Sequence, residues 1–516
     1  MKKYALIIML ALFAVFVSAC SNSGSSQKSS GDNMSNMDMS DMKNMDHSQS
    51  SDSNSNSNLP MTTSFKELSG KNITITAKKA VNKFDSKHKF TVWTFNGSVP
   101  GPTIKLKQGE KVNITLKNDL SKPVTIHWHG LVVPNSQDGI PGVTMNAVQP
   151  GKSFTYHFTA TTPGTYWYHS HQDSVNQLDK GLYGALIVEG KKEQKVDKDY
   201  TLVLDDWISS GQTMDEMMGN MKMTTEDMSM YDLYTINGKS GNAIKPLTVK
   251  KGDKVRIRLI NAGYLAHQFH LHGHSFKVVS TDGNTIHDPQ VVKNQLISVA
   301  PGERYDIEFT ADHPGTWYLE SHDADKTAAK NMMQKIVYEG TTKQTDERNY
   351  KEALPVFDFT NYGTTTKSAF SLNQKYDVNY TMNLSDKVKD GQFVYTINGK
   401  SYPNTDPIEV KKGDLVKVTL KSTSKTSVHP MHLHGQSFQV LSKNGKPLTG
   451  SPIIKDTLNV KPGEEYVVAF KADNPGNWMF HCHDLHHASA GMVTMVKYKG
   501  FTPSFKVDPN AGNMPE

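Results

Sequence analysis

Three copies of one sequence pattern run through most of this chain and constrain its fold more than any other feature. Each copy contains an Asn-Gly step, then an alternating apolar and polar run, and closes on Pro-Gly followed by an aromatic-rich run that ends in His. The Asn-Gly steps lie at residues 96–97, 237–238 and 398–399, the alternating runs at 109–116, 252–259 and 413–420, and the closing runs at 163–171, 314–322 and 475–483. Such short runs, broken by Gly, Pro and Asn and without helical periodicity, predict β-strands. The repeat therefore predicts an all-β protein of three consecutive Greek-key units, each a two-sheet sandwich or barrel, at residues 59–192, 193–345 and 346–516.

The closing run of the third copy carries an unusual set of side chains. It contains His481, Cys482 and His483, and His487 and Met492 follow it. Side chains alternate along a strand, so the two His of the run should point to one face and Cys482 to the other. A thiolate, an imidazole and a nearby thioether are typical of a blue copper site, in which two His and one Cys bind the ion and a Met lies in the weak axial position. This site needs one more His, and the His pair of the run faces a second centre.

Residues 428–438 supply the missing ligand. His432 and His434 are two residues apart and share a face, whereas His429 is three residues from His432 and falls on the other face. By this parity His429 joins Cys482 and His487. The other two histidines join the pair on the closing run.

The first copy adds two more same-face pairs to the second centre, which then collects eight histidines. They are His127, His129, His169, His171, His432, His434, His481 and His483. Eight imidazoles are too many for one ion, whereas three copper ions at two or three ligands each would use them all. A single His-x-His step is usually an ordinary strand surface, but four such motifs in register argue against that interpretation.

The four motifs are His-x-His-Gly, His-x-His, His-x-x-His-x-His and His-Cys-His-x3-His-x4-Met, in this order and with full spacing. In them the chain resembles the multicopper oxidases over about residues 60–500. The resemblance implies three cupredoxin domains and four copper ions, namely one type 1, one type 2 and a type 3 pair. It implies type 1 ligands His429, Cys482, His487 and Met492, type 2 ligands His127 and His432, and type 3 ligands His129, His169, His171, His434, His481 and His483.

The second copy keeps only part of this ligand set. The position of the cysteine is Ser170 in the first copy and Ser321 in the second, so only the third copy can build a blue copper site. The second copy does contain His267, His270 and His272, but its closing run has lost the Cys and one His. We interpret these histidines mainly as a relic of duplication, and a metal site is the alternative.

The first 19 residues are typical of a signal peptide, with two lysines before an apolar run at residues 5–17. Val-Ser-Ala-Cys at residues 17–20 resembles a bacterial lipobox, which implies cleavage before Cys20 and lipid attachment to its thiol; the alternative is an ordinary cleaved signal. The protein would then be secreted and lipid-anchored at the extracellular face of the cytoplasmic membrane without spanning it. With only two cysteines, no disulfide framework is predicted. The net charge of +6 comes from scattered lysines and does not indicate a nucleic-acid partner.

Two stretches are rich in methionine. Residues 20–58 contain almost no aliphatic side chains and predict a disordered tether. This tether carries Met34, Met37, Met39, Met42, Met45 and His47, and the second stretch carries Met214, Met217, Met218, Met221, Met223, Met228 and Met230. Thioethers prefer Cu(I), so copper capture is one interpretation of both stretches. A plain linker and an apolar helical cover are the alternatives. The second stretch resembles the Met-rich insertions of copper-efflux oxidases.

A carboxylate near the cluster is expected because reduction of O2 to water consumes four protons. Asp138 stands where related enzymes carry such a group, although its Asp-Gly step could equally be a plain turn. Many bacterial relatives carry an acid directly after the last type 1 His, where this chain has Ala488. Proton delivery is therefore expected to depend on Asp138.

Together these features predict an oxidase that couples four one-electron substrate oxidations to reduction of O2 to water, with electrons passing through Cys482. The lipid anchor and the Met-rich stretches favour Cu(I) as the substrate, in copper tolerance. Laccase-type oxidation of phenols is the alternative. A nitrite reductase would not need eight cluster histidines, and a non-enzymatic copper-binding lipoprotein would not need the four motifs.

Overall fold

The computed structural model describes residues 58–64, 66–218, 230–323, 331–342, 345, 353–389 and 392–516, and its strands repeat one arrangement three times. These residues all belong to one compact body, Asp52–Glu516, which contains the three units. None of the helices in the described ranges combines the length and apolar character needed to cross a bilayer.

The first unit pairs a five-stranded sheet with a four-stranded sheet. Its strands are β1 (Glu67–Ser69), β2 (Asn72–Lys83), β3 (Lys89–Phe95), β4 (Gly101–Lys107), β5 (Lys111–Asn118), β6 (His127–His129), β7 (Ser153–Thr159), β8 (Gly164–His169) and β9 (Tyr183–Glu189). The sheets run in the orders β1-β4-β9-β8-β6 and β3-β2-β5-β7. A short helix, α1 (Ser174–Asp179), connects β8 to β9.

The second unit pairs a six-stranded sheet with a five-stranded sheet. Its strands are β10 (Lys198–Trp207), β11 (Leu233–Ile236), β12 (Leu247–Val249), β13 (Lys254–Asn261), β14 (His267–Leu271), β15 (Lys277–Thr281), β16 (Asn284–Thr285), β17 (Ile297–Val299), β18 (Arg304–Thr310), β19 (Thr316–Ser321) and β20 (Met333–Tyr338). The orders are β11-β10-β13-β18-β15-β16 and β12-β20-β19-β14-β17. The helix α2 (Met214–Met218) follows β10.

The third unit pairs a seven-stranded sheet with a five-stranded sheet. Its strands are β21 (Val378–Lys389), β22 (Gln392–Ile397), β23 (Ile408–Val410), β24 (Leu415–Ser422), β25 (His429–Leu433), β26 (Phe438–Lys443), β27 (Lys446–Pro447), β28 (Ile453–Lys455), β29 (Thr457–Val460), β30 (Glu465–Lys471), β31 (Asn477–Cys482) and β32 (Val493–Tyr498). The orders are β22-β21-β24-β30-β26-β27, with β28 on β26, and β23-β32-β31-β25-β29. The helix α3 (Leu485–Ser489) connects β31 to β32.

The order of strands around the closing run is the same in all three units. The path β4-β9-β8-β6 of the first unit corresponds to β12-β20-β19-β14 in the second and β23-β32-β31-β25 in the third. The predicted all-β fold of three consecutive Greek-key units is confirmed. Because the closing strand always lies beside the strand that carries the His-x-His step, this topology brings the two groups of histidines together.

The Asn-Gly steps are tight turns held against a neighbouring strand. Asn96, Asn237 and Asn398 have φ of 56°, 52° and 53°, and each is followed by a glycine that also has positive φ. Asn and Gly tolerate this left-handed conformation better than other residues. The Asn side chains accept from the backbone N–H of Thr76, Val203 and Asn383, and they donate to the carbonyls of Thr74, Thr201 and Thr381. The repeated dipeptide therefore fixes the same corner in each unit.

Alternation along the strands sets which face is buried. In β5, Val112, Ile114 and Leu116 are buried, whereas the lysines at both ends are exposed. Burial of each such aliphatic side chain contributes about 1.5–3 kcal/mol. A slip of one residue would expose this whole row, so the register of the strand is strongly specified.

Candidate metal centres

The first centre lies where β25 and β31 pair side by side. Their register places Met431 opposite Cys482 and His432 opposite His481. The Cys482 Sγ lies 3.5 Å from His487 Nδ1 and 4.0 Å from His429 Nδ1, and these three side chains are buried. The structure thus brings together the two imidazoles and the thiol that parity predicted.

Backbone hydrogen bonds return the chain to Cys482 after α3. The Cys482 N–H donates to the Met492 carbonyl at 3.0 Å, and the Met492 N–H donates to the His487 carbonyl at 2.9 Å. Met492 is fully buried in the same apolar cluster as Cys482. The segment between the two residues is therefore a closed loop that places His487 beside the thiol and returns Met492 to the backbone of Cys482.

Two residues that orient His487 had no signal in the sequence. Asp484 caps α3 by accepting from the His486 N–H, and its Oδ2 lies 3.3 Å from His487 Nε2. The Tyr395 ring stacks on the His487 ring with centroids 3.9 Å apart. A carboxylate on Nε2 holds the proton on that nitrogen, which leaves the Nδ1 lone pair directed toward Cys482.

The second centre collects the eight predicted histidines in one buried group. Each is at most 1% exposed. The ring centroids of His171, His434 and His481 lie 5.1–5.3 Å apart. Those of His129, His169 and His483 lie 4.7–5.8 Å apart, and those of His127 and His432 are 5.8 Å apart. Two other pairs are closer still, His127 with His434 at 4.0 Å and His129 with His432 at 3.7 Å, so the eight rings form one contiguous group.

The hydrogen bonds of these rings point outward and leave inner nitrogens without partners. Nδ1 of His127, His432, His169, His481 and His171 donates to the carbonyls of Asp138, Asp456, Ser170, Cys482 and Pro515 at 2.6–3.0 Å. Among the described residues, Nε2 of His127, His169, His171 and His432 has no hydrogen-bond partner. Buried polar atoms are nearly always satisfied, so these nitrogens fit metal ions.

Comparison with known proteins decides the family. Profiles described as multicopper oxidase match residues 76–193, 198–341 and 371–500. The chain is 32% identical to multicopper oxidase MmcO of Mycobacterium tuberculosis over 78% of this chain and 82% of that protein. The chain belongs to the multicopper oxidases. These enzymes are oxidoreductases that use O2 and carry four coppers, namely one type 1, one type 2 and a type 3 pair.

Other similar proteins differ in the function that their names state. Laccase-1 of Botryotinia fuckeliana is 30% identical over 77% of each chain. The copper resistance protein A homolog of Pseudomonas syringae is 23% identical over 79% of this chain and 89% of that protein. A crystal structure of a multi-copper oxidase from Pseudomonas thermotolerans superposes with a TM-score of 0.66 at 26% identity, over 84% of this chain and 100% of that chain. The three units are cupredoxin-like, as the resemblance implied.

Burial and neighbouring imidazoles keep six of the cluster histidines of this multicopper oxidase neutral. They lower the pKa of His171 to about 3. They lower the pKa of His129, His169, His434, His481 and His483 well below the ordinary value. Neutral imidazole is the form that binds a metal ion.

Asp138 lies directly against the cluster. Its Oδ2 is 3.0 Å from His434 Nδ1, and its Oδ1 is 3.3 Å from His127 Nδ1. The side chain is 1% exposed and follows a turn of 3-10 helix at Asn135–Gln137. Asp138 therefore combines the turn that an Asp-Gly step predicts with contact to two predicted ligands.

A second carboxylate, Asp456, was not predicted. Its Oδ1 lies 3.3 Å from His129 Nε2 and 3.5 Å from His432 Nδ1. Arg304 of the second unit donates to both of its oxygens at 2.7 and 2.6 Å. Burial alone would raise the pKa of Asp456, but the Arg304 guanidinium holds it well below its usual range. The charge that orients these two histidines thus depends on a residue from another unit.

Pro515 and Glu516 also lie against the cluster and were missed. His171 donates to the Pro515 carbonyl at 2.6 Å, and Glu516 Oε1 lies 3.3 Å from His481 Nδ1. Burial raises the pKa of Glu516 well above its ordinary value. Nothing in the spacing of the last residues signalled this contact, because it joins positions that are far apart in the sequence.

In the second unit, ion pairs occupy the place that corresponds to the type 1 site. Ser321 stands in register with Phe269, as Cys482 does with Met431 in the third unit. His267 lies between two carboxylates, 2.8 Å from Asp206 and 2.6 Å from Asp323. Burial alone would lower the pKa of His267, but these carboxylates raise it to about 10. A cationic imidazole does not bind metal, so this position is no second blue copper site.

The start of the second Met-rich stretch shares an apolar cluster with the helix that carries His487. Met214 of α2 is buried in one apolar cluster with Leu485 of α3. The Tyr231 hydroxyl donates to Asp179 at 3.0 Å and lies 2.9 Å from His486 Nε2. The side chain of Met218, the residues Met221, Met223 and Met228, the methionines of residues 34–45, and Cys20 lie outside what the structure describes.

Proposed function

We propose that this multicopper oxidase oxidises Cu(I) in copper tolerance while it reduces O2 to water. One observation carries the choice of Cu(I): Met214 is buried in the same apolar cluster as Leu485, which lies two residues before His487. On the same helix, Met217 is 39% exposed. Soft thioethers bind Cu(I) without the deprotonation that thiols require. A Met-rich stretch in this place can hold the cuprous ion beside the type 1 ligands.

The ligand assignment follows the geometry of the two centres. We assign His429, Cys482, His487 and Met492 to type 1, His127 and His432 to type 2, and His129, His169, His171, His434, His481 and His483 to type 3. The inner nitrogens without partners and the convergence of His171, His434 and His481 support this assignment. When bound, the four coppers store single electrons and so link one-electron donors to the four-electron reduction of O2.

Two residues of the chain connect and serve these centres. Cys482 contributes its thiol to one centre, and its carbonyl accepts from His481 Nδ1 of the other. Asp138 Oδ2 lies 3.0 Å from His434 Nδ1, and O2 reduction consumes protons, so we assign proton delivery to this carboxyl group. Complete burial of the eight histidines excludes bulk water from the cluster and strengthens these interactions.

Phenol oxidation of laccase type is the second candidate, and the similarity to laccase-1 favours it. The similarity to the copper resistance protein A homolog favours Cu(I). We further propose a secreted enzyme anchored by lipid on Cys20 at the extracellular face of the cytoplasmic membrane. The signal-like residues 1–19 and the lipobox-like residues 17–20 support this location.

Replacement of the methionines by leucine tests the substrate. Leu keeps the apolar volume and removes only the sulfur. Cu(I) turnover should fall at least about 10-fold, which corresponds to a rise of ~1.4 kcal/mol in activation free energy. The variant carries Leu at Met214, Met217, Met218, Met221, Met223, Met228 and Met230. Phenol turnover should stay level or rise, because a phenol needs no thioether ligand.

Met61→Leu is the matched control, since Met61 is also exposed but lies outside the stretch. Its Cu(I) turnover should equal that of the parent enzyme. Unchanged Cu(I) kinetics in the multiple variant would mean that the stretch is only an apolar cover. The laccase-type function would then be the better proposal.

A further inference from the structure

A group of three histidines and one glutamate converges in the second unit, outside the eight-histidine cluster. His270 and His272 lie on and just after β14, and Glu320 and His322 lie at the end of β19. The ring nitrogens of the three histidines are within 4.8 Å of one another. Glu320 Oε1 is 2.9 Å from His272 Nε2 and 3.7 Å from His322 Nε2. Four potential ligands therefore face one small volume.

The distances fit a single bound cation. Two imidazole nitrogens bound to one ion at about 2.0 Å in a tetrahedral site lie about 3.3 Å apart. The Nε2 atoms of His272 and His322 are 3.3 Å apart. The ring of His270 meets that of His322 at 88°, with centroids 5.2 Å apart, so its nitrogens approach from a third direction.

His270 gives an independent indication of a ligand. The residue is 7% exposed, and among the described residues neither Nδ1 nor Nε2 has a hydrogen-bond partner. Leaving a buried polar atom unsatisfied costs about 1–3 kcal/mol. A metal ion on this ring would offset that cost.

Strand register places the converging histidines and the ion pairs of His267 on opposite faces of β14. His270 stands opposite Glu320 in β14 and β19, as His432 stands opposite His481 in β25 and β31. On the other face, His267 is occupied by Asp206 and Asp323. The two faces of these strands therefore differ. One carries ion pairs, and the other carries the converging histidines.

We propose that His270, His272, His322 and Glu320 bind one divalent transition-metal ion, separate from the four copper ions of the oxidase. Three imidazoles and one carboxylate suit Zn²⁺ and Cu²⁺, and the absence of a thiolate from this set disfavours Cu(I). The His272 and His322 side chains are 12% and 8% exposed, which gives the ion a route of entry. The bound ion joins β14 to the end of β19 and stabilises the second unit.

Zinc titration of the full-length enzyme, loaded with no more than four coppers per chain, tests this site. Copper already fills the four oxidase sites, and thioethers bind Zn²⁺ poorly, so zinc reports on the nitrogen and oxygen ligands. Equilibrium dialysis followed by elemental mass spectrometry should find one Zn²⁺ per chain, with copper unchanged at four. Zinc should also raise the thermal unfolding temperature, because it binds only the folded state.

The double variant His270→Gln with His322→Gln should bind zinc at least about 100-fold more weakly. Even a change to a residue that only contacts a metal ligand lowers metal affinity about 10–100-fold. It should also lose the zinc-dependent rise in unfolding temperature. His313→Gln is the control, because His313 is 60% exposed in the same unit and lies outside the group. It should bind one zinc like the parent. The blue absorption of each variant shows whether the chain has folded.

Three results would overturn the proposal. One is a copper-loaded parent enzyme that binds no zinc. Another is zinc uptake that lowers copper below four per chain and weakens the blue absorption or the oxidase activity. The third is a folded, blue double variant that binds zinc as tightly as the parent does.

Discussion

His481 donates a hydrogen bond from Nδ1 to the carbonyl oxygen of Cys482, 2.9 Å away. The Cys482 side chain lies on the opposite face of β31, among the predicted type 1 ligands. In the first unit, His169 makes the same contact with the Ser170 carbonyl, also at 2.9 Å, and Ser170 Oγ donates to Gln177. The backbone link is therefore common to both units. The thiol at position 482 distinguishes the third unit.

Cys482→Ser should abolish both the blue colour and the oxidase activity, because the colour arises from the bond between Cu(II) and thiolate. The fold should survive with a loss of stability of about 1–2 kcal/mol, since the side chain changes by one atom in a buried place. Visible absorption, O2 uptake and thermal unfolding measure the three outcomes. A variant that stays blue would remove Cys482 from the type 1 site.

Met492→Leu should raise the type 1 reduction potential. Loss of a weak sulfur donor destabilises Cu(II) more than Cu(I), and Leu keeps the packing of this buried side chain. A redox titration followed at the blue band gives the answer. A lower potential would show that Met492 is not the axial ligand.

The structure brings the predicted histidines together because their positions follow from local rules. Alternation along β31 and β25 decides the faces, and strand pairing then makes the groups meet. The residues that orient the histidines obey no such rule. Asp456 depends on Arg304, 152 residues earlier, and Asp138 reaches His434 across 296 residues. Contacts between units depend on how the units pack, which periodicity within one strand does not specify.

Asp138→Asn should slow O2 reduction more than substrate oxidation, because it removes a proton-holding group and no proposed copper ligand. Turnover should fall roughly 10–100-fold, within the range for acid–base groups. Under anaerobic conditions the blue band should bleach at a near-normal rate when donor is added. Equal slowing of bleaching and turnover would place Asp138 on the donor side.

Glu516→Gln is the matched comparison, since Glu516 is another buried carboxyl group beside a proposed type 3 histidine, His481. If this variant slows O2 reduction and Asp138→Asn does not, Glu516 is the proton source instead. A loss in both would indicate that the two acids act on different protons.

Asp179→Asn should change how stability depends on pH. Burial raises the pKa of Asp179 from an ordinary 3.8 to about 8, so the folded chain keeps its proton where the unfolded chain has lost it. The stabilisation that protonated Asp179 contributes is full below pH 3.8. It falls by about 1.4 kcal/mol per pH unit as pH rises from 3.8 through the folded pKa of about 8. The variant lacks this loss. Its unfolding temperature relative to the parent should therefore rise from pH 5 to pH 9, whereas the exposed Asp215→Asn control should track the parent.

Asp456→Asn should deplete the type 2 copper and spare the type 1 copper. Asp456 lies against His129 and His432, both of the cluster, and Arg304 holds its charge in place. Neutralising a residue that orients a ligand lowers metal affinity about 10–100-fold. Loss of the buried partner of Arg304 should also cost about 3–5 kcal/mol of stability. Copper analysis and electron paramagnetic resonance should show a reduced type 2 signal beside an unchanged blue band.

Thr457→Val separates the orienting role from the loss of charge. The Thr457 hydroxyl lies 3.0 Å from His129 Nε2 and 3.1 Å from His432 Nδ1, and it donates to Asp456 Oδ1 at 2.9 Å. The variant removes these contacts but keeps the charge of Asp456 and its pair with Arg304. It should show a smaller loss of type 2 copper with little change in unfolding temperature. Asp473→Asn, at a carboxylate that is 58% exposed, is the control for a lost charge. A contact that only orients His129 and His432 cannot reach Cys482 on the other face of β31. If Asp456→Asn loses type 1 and type 2 copper in equal measure, Asp456 therefore supports the third unit as a whole and not the type 2 position.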